Sequence, residues 1–261
     1  MDPALAIGVG ATLVAIFGSI ILEGGNPMAI ILIPSLVLVF GGTLGAAIAG
    51  GVMRDVKSLP KQVIRAATAT VPSADILVET LVHLADRARR EGILALEDEV
   101  DSVADPFLQR GLQMAVDGID PEEVTEILGS SVDTKRAADK AGAKLFADMG
   151  GYAPTIGIIG TVLGLVRVLG NLSEPTKLGG EIAGAFVATL WGVMSANVIW
   201  LPLANRLKRV SEIECELMEL TIEGVVAIQA GSNPRLLAQK LQSLLPADDA
   251  KKADDAKKEV A

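Results

Sequence analysis

Four uncharged stretches divide this chain. Residues 3–22 carry no ionisable side chain between Asp2 and Glu23, and residues 24–53 form a second such run, interrupted early by Pro27 and Pro34. A third covers residues 149–166 and stops at Arg167, and a fourth covers residues 182–205. About 20 apolar residues in a helix cross a bilayer core, and each run has that length or nearly so. The pattern predicts an all-α integral membrane protein with four transmembrane helices, at about residues 3–22, 28–52, 150–170 and 182–205. The first run has neither the positive flank nor the cleavage site of a secretory signal, so a retained helix is expected.

Charge gives the spans a direction. Arg54, Lys57, Lys61 and Arg65 follow the second run, Lys135, Arg136, Lys140 and Lys144 precede the third, and Arg206, Lys208 and Arg209 follow the fourth. The opposite connections are poor in cations: residues 23–27 have none and residues 171–181 only Lys177. Lys and Arg near span ends mark the cytoplasmic side. The expected organisation is a transmembrane hairpin at 1–53, a helical cytoplasmic domain at 54–148, a second hairpin at 149–206, and a C-terminal helix with a charged tail at 207–261. Both termini are expected in the cytoplasm.

Within the insert, Ser73-Ala74-Asp75 opens a periodic stretch, Ile76, Leu77, Leu81, Leu84 and Ala88, that ends near Gly92. A short helix at 94–103 and another at 106–116, stopped by Gly118, are expected next. Asp120-Pro121-Glu122-Glu123 is a strong helix start, with proline at the first position and acids in the first turn. That helix is long enough to run into the third span, with Gly129, Gly150 and Gly151 as candidate breaks. The tail beyond Leu245 repeats Asp-Asp-Ala-Lys-Lys and reads as a solvated low-complexity end.

Composition narrows the function. The chain is 50% hydrophobic with 27 Gly, yet holds only 5 Phe, 2 Trp and 1 Tyr, which excludes a disordered chain and an ordinary water-soluble enzyme. One cysteine, Cys215, and one histidine, His83, exclude a disulfide framework and a His/Cys metal site within one chain. The net charge of −9 argues against nucleic acid. No cofactor is expected.

Ionisable groups inside membrane spans are functional by default, and none of the four runs holds an Asp, Glu or His well inside it. Any ion this chain helps to move needs an acid from another subunit. What the spans do offer is small faces. Pro154, Gly157, Thr161 and Gly164 share one side of the third span, with Ile156, Ile159, Leu163 and Val166 opposite. Ala185, Thr189, Gly192 and Ala196 share one side of the fourth, backed by Val187, Trp191, Met194 and Val198. Such faces serve helix packing within the chain, a partner helix, or an ion at the two hydroxyls; spacing alone leaves these open. Pro154 and Pro202 are compatible with simple kinks. In the insert, Arg87, Arg89 and Arg90 precede Glu97, Asp98, Glu99 and Asp101, a pattern that suits a solvated face or an electrostatic docking surface.

Several of these segments resemble one family. Residues 89–97, Arg-Arg-Glu-Gly-Ile-Leu-Ala-Leu-Glu, are similar to the rotor-facing segment of the flagellar stator proteins MotA and PomA. Residues 152–166, from Tyr152-Ala153-Pro154 to Val166, resemble that family's third span. Leu178-Gly179-Gly180, then residues 185–192, Ala196-Asn197 and Pro202, resemble its fourth. The resemblance implies a non-enzymatic stator subunit of the bacterial flagellar motor in the inner membrane. Five copies would surround a dimer of a MotB- or PomB-type single-span partner whose aspartate supplies the missing acid. It further implies that Thr161 and Thr189 line the path of a transported proton or sodium ion, and that Pro154 and Pro202 couple ion passage to movement. Arg89, Arg90 and Glu97 would engage the rotor protein FliG, and Gly157, Gly164, Ala185, Gly192 and Ala196 would pack the partner helix. The energy-transducing proteins ExbB and TolQ share the character of the last two spans but typically lack the early hairpin and the Arg…Gly…Leu-Glu segment. A non-conducting membrane scaffold is the other alternative. Arg167 departs from the pattern and is read as an interface anchor or as a partner of Glu174 or Glu181.

Overall fold

A computed structural model describes residues 3–69, 73–173 and 175–245, with backbone alone at 175–177. The expected low-complexity tail and Glu174 lie outside the described residues. Every regular element among the described residues is helical, and four helices are long and apolar enough to cross a membrane. The chain forms two compact units, residues 1–70 with 138–210 and residues 71–137 with 211–261.

In the first unit, α1 (Ala4–Leu22) is the first span, and none of its spanning window is buried. The second span starts later than the expected residue 28. Asn26 caps a single 3-10 turn at Pro27–Ile30, and Leu32 is extended. The span proper is α2 (Ile33–Leu36), a π segment (Val37–Gly41) and α3 (Gly42–Gly50). Pro34 explains the delay: it cannot donate its own N–H and sits only in the first turn of a helix, so the helix has to begin beside it. α4 (Met53–Thr68) follows, a polar amphipathic helix with Pro60 inside it that the hydropathy pattern did not announce.

In the second unit, α5 (Ala74–Glu91) buries Val78, Leu81, Leu84 and Ala85, while Ile76 stays exposed and lies off that face. The expected helix at 94–103 is a 3-10 turn (Ile93–Leu96) and one turn of α6 (Glu97–Val100). Gly92 makes the reversal before it, at φ +89°, where a β-carbon would be strained. α7 (Pro106–Val116) has the expected bounds, with Asp105 accepting from the Phe107 N–H at 2.8 Å.

α8 (Pro121–Gly170) starts where Asp120-Pro121 places it and runs through the candidate breaks at Gly129, Gly150 and Gly151 without interruption. The fourth span is likewise part of a longer run: α9 (Pro175–Ser195), a π segment (Ala196–Trp200) and α10 (Leu201–Gln229). Pro202 accounts for the π turn. It has no N–H for the Val198 carbonyl, and an i→i+5 turn just ahead relieves the clash. α11 (Pro234–Leu244), capped by Asn233, is separate, so the C-terminal region holds two helices where one was expected.

Each unit has its own core. Leu81, Leu96, Leu112, Leu128, Val225 and Leu241 centre the second unit, with Cys215 buried among its helices. Ala47, Ala66, Phe146, Met149, Leu203 and Leu207 centre the first. The expected 54–148 domain is therefore divided: α4 and residues 138–148 pack with the membrane helices. One strong polar contact serves that packing, since Arg65 binds Asp139 with both guanidinium nitrogens, one of them 3.0 Å from Oδ2.

Candidate functional site

Spans three and four meet along their small faces. A β-carbon on Gly157 would lie 2.9 Å from the Ala188 carbonyl oxygen and 3.0 Å from the Thr189 α-carbon. One on Gly164 would lie 2.5 Å from the Ala185 β-carbon, and one on Gly192 would lie 2.6 Å from the Ala153 oxygen. Gly160 belongs to the same contact, 2.5 Å from the Ala188 β-carbon. These residues let two backbones touch, which is what small residues do between membrane helices. The structure thus corrects one expectation: Gly157, Gly164, Ala185 and Gly192 pack within the chain and are not a free surface for another helix. Ala196 is also buried, in the π segment that packs against α1.

The close approach brings two hydroxyls together. Thr161 and Thr189 share a hydrogen bond. The Thr161 hydroxyl also lies 3.1 Å from the Ala185 carbonyl oxygen, and the Thr189 hydroxyl 3.2 Å from that of Gly157. The result is a half-buried oxygen cluster of two hydroxyls and two carbonyls, able to hydrate a small cation or hold water but carrying no charge. Pro154 stands on α8 and Pro202 just after the π segment, both half-buried and neither in the cluster.

The back of the fourth span is equally committed. Val187, Met194 and Val198 are buried. Trp191 donates its indole N–H to the Ile30 carbonyl at 2.6 Å, and Phe40 sits with its ring centre 6.0 Å from those of both Trp191 and Trp200. The far side of the third span is open: Ile159, Leu163 and Val166 are all more than half exposed. Ile156, expected with them, instead touches Gly42.

In the insert the charge run separates into two kinds of residue. Arg87 is internal: it binds Glu99 and, at 3.2 Å, Glu91, and its guanidinium is held above its ordinary range chiefly by the Glu99 hydrogen bond. Arg90 bonds along its own helix to Asp86 at 2.6 Å. Arg89 and Glu97 are exposed and have no ionic partner among the described residues. Charge pattern alone does not distinguish these residues; the contacts separate the paired Arg87 and Arg90 from Arg89 and Glu97. Glu181 accepts from the Asn171 amide at 2.9 Å, so Asn171 takes the place suggested for Arg167.

Comparison with known proteins settles the family. The profile of the MotA/TolQ/ExbB proton channel family matches residues 99–220, and that of the motility protein A N-terminal region matches residues 6–92. Motility protein A of Bacillus subtilis is 36% identical over 95% of this chain and 93% of its own. The chain belongs to the motility protein A family. Its fold is that family's as well. A structure of C. jejuni MotAB matches 95% of this chain and 97% of its own at a TM-score of 0.91 and 29% identity. The flagellar MotAB stator complex from Bacillus subtilis matches 95% and 98%, at 0.88 and 35%. The N-terminal match covers the early hairpin, which separates this chain from the ExbB and TolQ side of the larger family.

Proposed function

We propose that this chain is the channel-forming stator subunit of a bacterial flagellar motor, working with a MotB-type partner to turn ion flow into torque on the rotor. The observation that carries the reading is the uncharged oxygen cluster of Thr161 and Thr189, held between two tightly packed spans and lacking an acid of its own. Full-length similarity to chains of MotAB complexes supports it. On this reading a partner aspartate sits beside the hydroxyl pair and takes up a proton or a sodium ion. The loaded aspartate is neutral, which removes its cost in a low-dielectric site and changes its preferred contacts.

The exposed apolar face of the third span, with Ile159, Leu163 and Val166, is the surface for helices of the partner or of neighbouring copies in a ring of five. This replaces the glycine faces in that role. Pro154 and Pro202 are the positions where the helices flex during the step. Arg89 and Glu97 face the rotor protein FliG, and Arg90 assists from the next position. Both termini and the second unit lie on the cytoplasmic side of the inner membrane.

The test is complementation. The chain and a single-span, aspartate-bearing partner, expressed together in cells lacking stators, are expected to restore swimming. Arg89→Glu and Glu97→Lys are each expected to reduce torque at normal complex yield. Failure of the wild-type pair to move cells, with the complex assembled in the membrane, refutes the stator reading. Full torque in both charge reversals refutes the docking assignment alone.

A further inference from the structure

An acid stands at the outer edge of the fourth span, one position before its uncharged run. This residue, Glu181, lies in the second turn of the helix that begins at Pro175. Its side chain is half-buried. One carboxylate oxygen accepts from the Asn171 amide at 2.9 Å, while Oε2 is shielded from solvent and has no hydrogen-bond partner. No ion pair accompanies it among the described residues.

Position adds the second observation. Residues 181, 185, 189 and 192 recur at helical spacing, so Glu181 stands on the same face of α9 as Ala185, Thr189 and Gly192. Below it the Ala185 carbonyl meets the Thr161 hydroxyl at 3.1 Å, and then come Thr189 and the Gly157 carbonyl. A rise of 1.5 Å per residue puts Glu181 about 12 Å along the span from the hydroxyl pair. A shielded carboxylate oxygen without a hydrogen-bond partner leaves a negative site that a cation can occupy.

We infer that Glu181, steadied by Asn171, is a capture site for the monovalent cation that the unit conducts, feeding the hydroxyl pair from the outer end of spans three and four. This rests on the stator reading. The mechanism is electrostatic: a unit negative charge about 12 Å away, at an effective dielectric near 20, raises the occupancy of a cation at the pair by about tenfold before salt screening.

Glu181→Gln keeps the shape and the bond from Asn171 but removes the charge. In stator-less cells expressing the full chain and its partner, swimming speed is read against sodium at fixed pH and against external pH at fixed sodium. The first series identifies sodium as the captured ion, the second the proton. The expected result is a half-saturating concentration raised up to tenfold for the driving ion, with top speed retained, and Glu181→Asp returning most of the shift. An unchanged half-saturation, or a fall in top speed alone, overturns the proposal.

A readout independent of swimming keeps it testable if the wild-type pair does not move cells, a result that sinks the stator reading itself. Infrared difference spectra of the purified chain in lipid nanodiscs, wild type against Glu181→Gln, are expected to show one carboxylate band that responds to sodium or to acid. A band indifferent to both refutes cation capture.

Discussion

Replacing Gly192 by alanine is the sharpest probe of the contact that forms the site. The added β-carbon would stand 2.6 Å from the Ala153 carbonyl oxygen and 3.0 Å from the Gly157 α-carbon, both backbone atoms of the facing span. A side chain can rotate away; a helix backbone has to move as a unit. Reaching ordinary contact at 3.4 Å requires about 0.8 Å of separation. Shifts of that size stretch the 3.1 Å and 3.2 Å bonds from Thr161 and Thr189 beyond hydrogen-bonding range. Overpacking costs about 1–3 kcal/mol, and each lost interhelical bond about 0.6 kcal/mol in a membrane protein. Against this stands about 1 kcal/mol of helix propensity gained by any Gly→Ala change in a helix interior.

Gly184→Ala isolates that gain, because its new β-carbon meets only Leu32 Cδ1, at 3.6 Å. The Gly192 variant should therefore unfold about 5–10 °C below the Gly184 variant. The assay is thermal unfolding of the purified complex in detergent, followed by tryptophan emission, since Trp191 adjoins the perturbed residue. Melting temperatures within about 1 °C of each other refute the claim that these backbones are in contact and that the hydroxyl pair depends on it.

Thr189→Val preserves volume and removes only the hydroxyl, so melting should change little while swimming speed falls severalfold; unchanged speed and ion dependence remove Thr189 from the path. Asp139→Ala strips Arg65 of a two-pronged partner at a site where both side chains are largely buried, and should lower the stability of the first unit by about 2–3 kcal/mol, read by chemical unfolding. The Lys144 ammonium is held above its ordinary range chiefly by its hydrogen bond to Asp148. A raised pKa stabilises the fold fully below the unfolded value of 10.5 and loses that contribution as pH climbs through the folded value. The melting difference between wild type and Lys144→Met should therefore stay flat from about pH 6 to pH 9 and shrink only above about pH 10.5; a fall near neutrality contradicts the assignment.

The features visible in the sequence are those set by local chemistry. Uncharged runs marked the spans, and Asp120-Pro121 marked a helix start whose cap the structure contains. The features that stayed hidden depend on partners distant in the chain. Gly150 looked like a break because glycine disfavours helices; its actual role is to admit Leu201, whose Cδ2 lies 2.5 Å from where a β-carbon would stand. α4 was hidden because its cations served only to orient the second span, although Arg65 finds Asp139 across 74 positions. The small faces were legible as faces but not as to what they meet. Glu181 fell just outside an uncharged run defined by charge itself, so only the observed start of α9 and the bond from Asn171 could show how it is held.

The hydroxyl pair also sets a limit on what this chain does alone. Two hydroxyls bring two protons and accept through their remaining lone pairs. Here one proton serves the bond between them and the other is within reach of the Gly157 or Ala185 carbonyl. A cation entering this cluster must break those bonds, and it finds only neutral dipoles in return, with the Glu181 charge about 12 Å away. Ion dwell at the pair then requires a second charge beside it, which these spans do not supply. Liposomes holding the purified chain without its partner should therefore be as tight to protons and sodium as empty ones, and adding the aspartate-bearing partner should open them. A leak through the chain alone, abolished by Thr189→Val, would show that the oxygen cluster conducts unaided and that the partner acid is dispensable for passage.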